Sequence, residues 1–260
     1  MDRQLDFRFS IPRPPEGPLV EMSAEEMEKT LLKRLEEEKA DPTEALWQLA
    51  RFYQQSKQPE KGLACLRQVS ARMPDVEAKA RCILAMGQTM EAVQDFQAAV
   101  RYYKEAMAME PARTSTWYFI LNNLGFSLNK LGQFADGETY CRKAIEVDPT
   151  RPNAFKNLGI ALGGQGEHRQ AAECFVRATQ ANAVDARSFH LLRELLREHP
   201  ELEYEFQGDV GCCEKAVDLA AKKAAEMKPA VYRGWRKLLI LWRGKLCSVS
   251  RRLLNMARRS

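Results

Sequence analysis

The sequence of 260 residues predicts an all-α protein: an array of stacked helical hairpins, closed at each end by a capping helix and followed by a basic amphipathic helix. Three observations predict it. Ala, Leu, Glu, Lys, Arg and Gln dominate, and these residues lose little freedom on entering a helix. The trio Asn-Leu-Gly stands at 123–125 and returns at 157–159, an interval of 34 residues. Aligned on those glycines, the chain contains four copies of one apolar pattern, and a period of this length marks a repeat architecture.

The elements follow in chain order. Residues 1–22 read as an extended tail without the apolar stretch of a signal peptide, so a cytoplasmic location is expected. Ser23 and Glu26 form a capping box that opens an N-terminal capping helix over 23–40. Asp41 and Glu44 form a second one, with Pro42 at the first helical position, and open the array over 41–184. The four first-helix signatures are Leu46-x2-Leu49-Ala50-x2-Tyr53, Ile83-x2-Met86-Gly87-x2-Met90, Leu121-x2-Leu124-Gly125-x2-Leu128 and Phe155-x2-Leu158-Gly159-x2-Leu162. Each sets apolar residues on one helical face beside a small residue that lets a second helix approach.

The second helices are marked by Gly62 and Leu66, Ala99 and Tyr103, Gly137 and Cys141, and Ala171 and Phe175. From small residue to small residue within a hairpin the count is 12 in all four copies. Between successive hairpins it is 37, 38 and 34, as expected of rigid pairs with looser joints. Pro74, Pro111 and Pro149 end three of the units, because proline cannot continue a helix, and Ala183 stands in that place in the fourth. Residues 185–206 carry Phe189, Leu192, Leu195 and Leu196 on one stripe and are expected to be a C-terminal capping helix. Residues 207–211 read as a linker within 207–227, with a further helix from 212.

These residues resemble the tetratricopeptide repeat, whose signature is W-x2-L-G-x2-Y, then A-x3-F, then P; the resemblance covers roughly residues 42–184. It implies a right-handed α-solenoid whose first helices line a groove that takes a peptide or a helix of a protein partner, as in a scaffold, an adaptor or a co-chaperone-like protein. By that resemblance the groove presents Arg51, Arg81, Asn122, Phe126, Lys130, Asn153, Lys156, Arg187 and His190. Asn123 and Asn157, a repeat apart, resemble the asparagine ladder with which some arrays of this family hold a peptide backbone, since an amide both donates and accepts. The alternative is that these amides bond within their own repeat or to water. The carboxylate clamp of chaperone-binding arrays is not expected, because Trp47, Arg51, Leu84 and Gln88 occupy the places of its Lys and Asn residues.

Nothing in the sequence suggests catalysis, a cofactor or a metal site: the three histidines lie outside any H-E-x-x-H spacing, and no phosphate-binding loop is present. The seven cysteines, odd in number and without a C-x-x-C pair, read as packing thiols. The net charge of +5 is local in origin. Residues 229–260 hold nine Lys or Arg and no Asp or Glu, which leaves 31 basic and 35 acidic residues elsewhere. Within 228–260, Tyr232, Trp235, Leu239, Trp242, Leu246, Val249, Leu253 and Met256 keep to one helical stripe, with Arg236, Lys237, Arg243, Arg251 and Arg252 around it. The stripe can pack on the array or on its own copy in a homodimer, lie on an anionic membrane surface, or meet nucleic acid or a calmodulin-like partner. The last two make the alternative function a peripheral membrane or nucleic-acid-associated factor. Sedimentation of residues 228–260 with anionic liposomes at low and high salt separates the three: uptake that requires anionic lipid supports the membrane reading, and indifference to lipid removes it.

Overall fold

A computed structural model of the chain describes residues 23–38, 41–112 and 115–226. These residues form only helices and connections: α1 (Ala24–Glu37), α2 (Thr43–Gln55), α3 (Pro59–Arg72), α4 (Val76–Ala92), α5 (Phe96–Ala108), α6 (Ser115–Lys130), α7 (Phe134–Val147), α8 (Pro152–Gly164), α9 (His168–Ala181), α10 (Arg187–Glu198), a 3-10 turn (Pro200–Leu202) and α11 (Glu203–Glu226). The pairs α2/α3, α4/α5, α6/α7 and α8/α9 are the four hairpins, and each packs on the next to give an all-α solenoid.

Every hairpin turns in the same way. Lys57, Gln94, Gly132 and Gly166 stand seven residues after the small residue of the first helix and have φ of 56°, 66°, 74° and 85°. The next N–H, of Gln58, Asp95, Gln133 and Glu167, donates to the carbonyl of Tyr53, Met90, Leu128 and Leu162 at 2.9, 3.0, 3.0 and 2.9 Å. This is the paired-bond stop that a left-handed residue allows at a helix C-terminus. Two copies carry a side chain in this conformation, at a cost of about 1 kcal/mol each.

The small residue of each first helix receives a side chain sixteen positions later. A methyl group added to Gly125 would lie 2.6 Å from Cys141 Sγ, and one added to Gly159 would lie 2.6 Å from the Phe175 ring. Gly87 lies equally close against the Tyr103 ring. In the first hairpin the corresponding pair is Ala50 and Leu66, both buried. The shared count of twelve thus reflects side-chain interlock as well as backbone approach.

The ends differ from the sequence expectation. At the N-terminus α1 is fastened by Tyr53 Oη, which donates to Glu28 at 2.9 Å, by Lys61 Nζ, which donates to the same oxygen at 3.0 Å, and by Arg34, which donates to Gln48 at 2.9 Å. α2 starts at Thr43 with Pro42, expected at the first helical position, as its N-cap and without a side-chain cap, while Asp41 just before it accepts from the Thr43 N–H at 3.1 Å. Glu44 instead accepts from Gln48 at 2.7 Å, so the reciprocal half of that capping box is not made.

At the other end, the helix expected over 185–206 stops at Glu198, and the expected linker 207–211 lies inside α11. α10 does continue the repeat register, with Phe189, Leu192 and Leu196 standing 34 residues after Phe155, Leu158 and Leu162. Arg193, however, occupies the place of the small residue, and Pro200 that of the left-handed one. Proline is locked at negative φ. The standard turn cannot form, the chain passes through a 3-10 turn, and α11 packs across α9 and α10 through Phe206 and Cys213. The rings of His168 and His199 stack at 3.6 Å beside this joint.

Overpacking sets the expected cost of filling the interlock. Gly159→Ala should lose about 1–3 kcal/mol in urea unfolding, because the added methyl would lie 2.6 Å from the buried Phe175 ring. Gly132→Ala, which meets open space, should lose about 1 kcal/mol through its positive φ alone. Equal losses would show that the interlock is slack.

Candidate protein-binding face

The first helices α2, α4, α6 and α8 lie side by side, so their common face is continuous along the solenoid. Beneath it runs a chain of polar side chains. Asn129 Nδ2 donates to the carbonyl of Asn157 at 2.8 Å. Asn157 Nδ2 donates to Asn122 Oδ1 at 3.0 Å, and Asn122 Nδ2 to Asn123 Oδ1 at 3.0 Å. Asn123 donates in turn to the Tyr103 hydroxyl, which donates to Glu91 Oε2 at 2.8 Å. Every donor points towards the Glu91 carboxylate, and such aligned bonds polarise one another. The chain joins α8 and α6 to α5 and α4, and so spans three hairpins.

Asn122, Asn129 and Asn157 are buried, and Asn123 is half-buried. The asparagines at 122 and 157 are therefore not offered to a peptide in this structure: they bond to one another across neighbouring first helices. Their neighbours 123 and 129 complete the same chain. Asn129 also rests its Oδ1 where a side chain on Gly137 would stand, which explains the glycine at that position. Burial pushes the Glu91 carboxyl up to about 7, against the opposing bond from Tyr103.

The other expected residues are distributed as follows. Arg81, Lys130, Arg187 and His190 are exposed, whereas Arg51, Phe126, Asn153 and Lys156 are half-buried. Phe126 meets the edge of Phe96 at 6.0 Å between ring centres, and Lys130 Nζ stands 5.6 Å over its ring. Arg187 grips Asp185 with Nε at 2.7 and 3.0 Å to the two oxygens. Burial, and then the charge of Arg187, hold Lys156 below the usual ammonium range, with Asp185 opposing.

Sequence reasoning missed Glu91, Tyr103 and Asn129 as members of the polar chain and Phe119 as a half-buried aromatic on α6. The period of 34 pointed to Phe119, which stands one repeat before Asn153; the junction of Glu91 with Tyr103 had no signal, because it depends on how α5 closes on α4.

The tail residues Trp235, Arg236, Lys237, Trp242, Arg243, Arg251 and Arg252 lie outside the described residues. Among the described residues no helix is long and apolar enough to cross a membrane, and no cluster of three or more His, Cys, Asp or Glu could hold a metal ion. Burial raises the thiols of Cys82, Cys141 and Cys174 to about 11, 12 and 11, which keeps them protonated at neutral pH.

The family model for the tetratricopeptide repeat matches residues 42–111 and 118–182. Human tetratricopeptide repeat protein 7B is 27% identical over 125 residues, 48% of this chain and 14% of the relative, so the chain spans about a seventh of that protein. Among solved structures, BtubC from P. vanneervenii superposes with a TM-score of 0.58 at 17% identity, over 78% of this chain and 89% of that one. PilF of Pseudomonas aeruginosa superposes at 0.56 and 18% identity, over 79% and 90%. At these identities both structures bear on the fold alone.

The polar chain generates a pH prediction. Because the Glu91 carboxyl titrates higher in the folded state than its ordinary 4.5, the stability it contributes is fully present below 4.5 and is lost as pH rises through about 7. Glu91→Gln should match the parent near pH 4.5 and exceed it by at most about 3 kcal/mol at pH 8 in chemical denaturation. Identical pH dependence in the two proteins would show that Glu91 does not titrate in this range.

Proposed function

The chain belongs to the tetratricopeptide repeat family, and we propose that it is a non-enzymatic scaffold that holds a segment of a partner protein against the face of α2, α4, α6 and α8. Proteins of this family mediate protein–protein interactions. The observation that carries the finer reading is the composition of the face. The amides beneath it are bonded to one another, while Arg81, Phe126, Lys130 and Lys156 stand partly or wholly in solvent on successive first helices. An aromatic ring flanked by cations provides contact area and orientation without large ordering losses. Recognition on this reading runs through Phe126 and the cations, not through the asparagines. The Phe126→Asp, Lys130→Glu double variant should lose the proteins that the parent retains in affinity capture read by mass spectrometry. A control with Arg142→Glu on the second-helix side should keep them. Equal retention by the face variant would remove this face from recognition.

A further inference from the structure

We propose a second seat for a partner, separate from the face of the first helices: the cleft between α7 and α9 receives one aromatic side chain of a partner protein, in the place that Tyr140 occupies one repeat earlier.

The cleft opens on the second-helix side and has a volume of about 320 Å³. Its floor is apolar, with Ile145 from α7, Phe155, Leu158 and Leu162 from α8, and Cys174 from α9. Its mouth carries exposed charges of both signs, Glu146 and Arg177 among them. Arg142 at the same mouth is held by Glu138 at 2.8 Å, and the seat makes no use of it.

The register of the repeat explains why the cleft is open. Three residues after the small position of the second helix, α5 has Tyr102, α7 has Tyr140 and α9 has Cys174. One joint earlier, Tyr140 of α7 and Met107 of α5 pack against the cluster that holds Leu121 of α6. Lys143 Nζ lies there 5.4 Å from the centre of the Tyr140 ring. The corresponding residues at the α7–α9 joint are Cys174, Ile145, Phe155 and Arg177. Ile145 is close to Met107 in size. Phe155 is larger than Leu121, but it gains fewer atoms than the exchange of a tyrosine for a cysteine removes. The space above the Cys174 thiol is therefore filled by no described residue, and its apolar lining forgoes the contacts that a close-packed interior makes.

The lining selects a ring over an aliphatic group. Phe155 offers an aromatic neighbour, and paired rings gain more than their buried area alone supplies. Arg177 holds the position that Lys143 holds beside Tyr140, and its guanidinium carbon lies 5.9 Å from the centre of the Phe155 ring. A ring entering at the place of Tyr140 meets that cation with its face. A leucine or valine uses the floor and gains neither contact. The mouth is polar and open to solvent, so the ring enters while the backbone that carries it stays outside, among charges that suit its polar groups.

The test uses the full chain, labelled with carbon-13 at the Ile and Leu methyls, and nuclear magnetic resonance. N-acetyltyrosinamide is the probe and N-acetylleucinamide its aliphatic counterpart. The tyrosine amide should shift the Ile145 and Leu162 methyl resonances saturably, and the leucine amide should bind roughly threefold to tenfold more weakly. Cys174→Tyr, which restores the ring of the two earlier repeats, should abolish the saturable shift. Cys174→Ala should keep it, because the thiol is not the group recognised. Equal binding of the two amides, no saturable shift in the parent, or an undiminished shift in Cys174→Tyr would overturn the proposal. Should the tyrosine variant not fold, the comparison of the two amides on the parent decides alone. A free parent whose Ile145 resonance already stands where Cys174→Tyr places it has filled the cleft with its own chain, and that result also overturns a partner's ring as the occupant.

Discussion

A helical hairpin of this size has one flank that its own two helices cannot cover, so its apolar residues are buried only by a neighbour on that side. The remaining architecture answers this constraint. Within each pair the distances are rigid, because a left-handed residue sets the angle of return and, in three of the four, an aromatic or sulfur side chain of the second helix sits on a glycine of the first, with Leu66 and Ala50 in the remaining one. Between pairs the chain is free to differ, and it does, with 37, 38 or 34 residues from one small position to the next. The stacking is then stitched by bonds that cross the joint. The Tyr118 hydroxyl accepts the Ala154 N–H at 3.3 Å, in the first turn of α8 where no helical partner exists for that donor. The Asn129 amide reaches the Asn157 carbonyl across the same joint.

The asparagine chain has a property that apolar stacking lacks. Methyl and methylene contacts tolerate sliding of one helix along another, but an amide buried between helices loses its partner if the register shifts by a residue. Asn122 on α6 and Asn157 on α8 therefore fix where these helices stand relative to each other, and through them the spacing of Lys130 and Lys156 on the face above. The repetition of Asn-Leu-Gly at 34 residues has its physical meaning here. An amide that both donates and accepts can extend a chain of bonds from hairpin to hairpin, and it ends where α4 supplies a carboxylate in place of an amide.

What could be read in the sequence was whatever depends on local spacing. The four hairpins and their small positions followed from periodicity. The left-handed residues Lys57 and Gln94 had no such signal, since neither side chain advertises positive φ; only their equivalence to Gly132 and Gly166 reveals them. The asparagines were visible as a pattern, but their direction was not. Whether an amide at position 122 or 157 faces a groove or a neighbouring helix depends on how closely α6 and α8 approach, a tertiary quantity. The boundary at Glu198 was missed for a related reason. The apolar stripe of 185–206 continues smoothly, and the break comes from Arg193 and Pro200 in positions whose importance is apparent only in the register of the repeat.

Acidic residues are absent from two of the four first helices, an arrangement that packing does not require. On the second helices and the closing elements, some of the cations are paired: Arg142 with Glu138 at 2.8 Å, Arg169 with Glu205 at 2.7 Å, Arg193 with Glu214 at 3.6 Å and Lys61 with Glu28 at 3.0 Å. Exposed pairs of this kind contribute little to stability, so their main effect is on the field the surface presents. α6 and α8 contain no acidic residue, and Lys130 and Lys156 make no direct ion pair with a described residue, although the charge of Asp185 favours the ammonium of Lys156. The surface where the stacked first helices form a continuous row therefore carries, at its α6–α8 end, cations with no acid on the same helix.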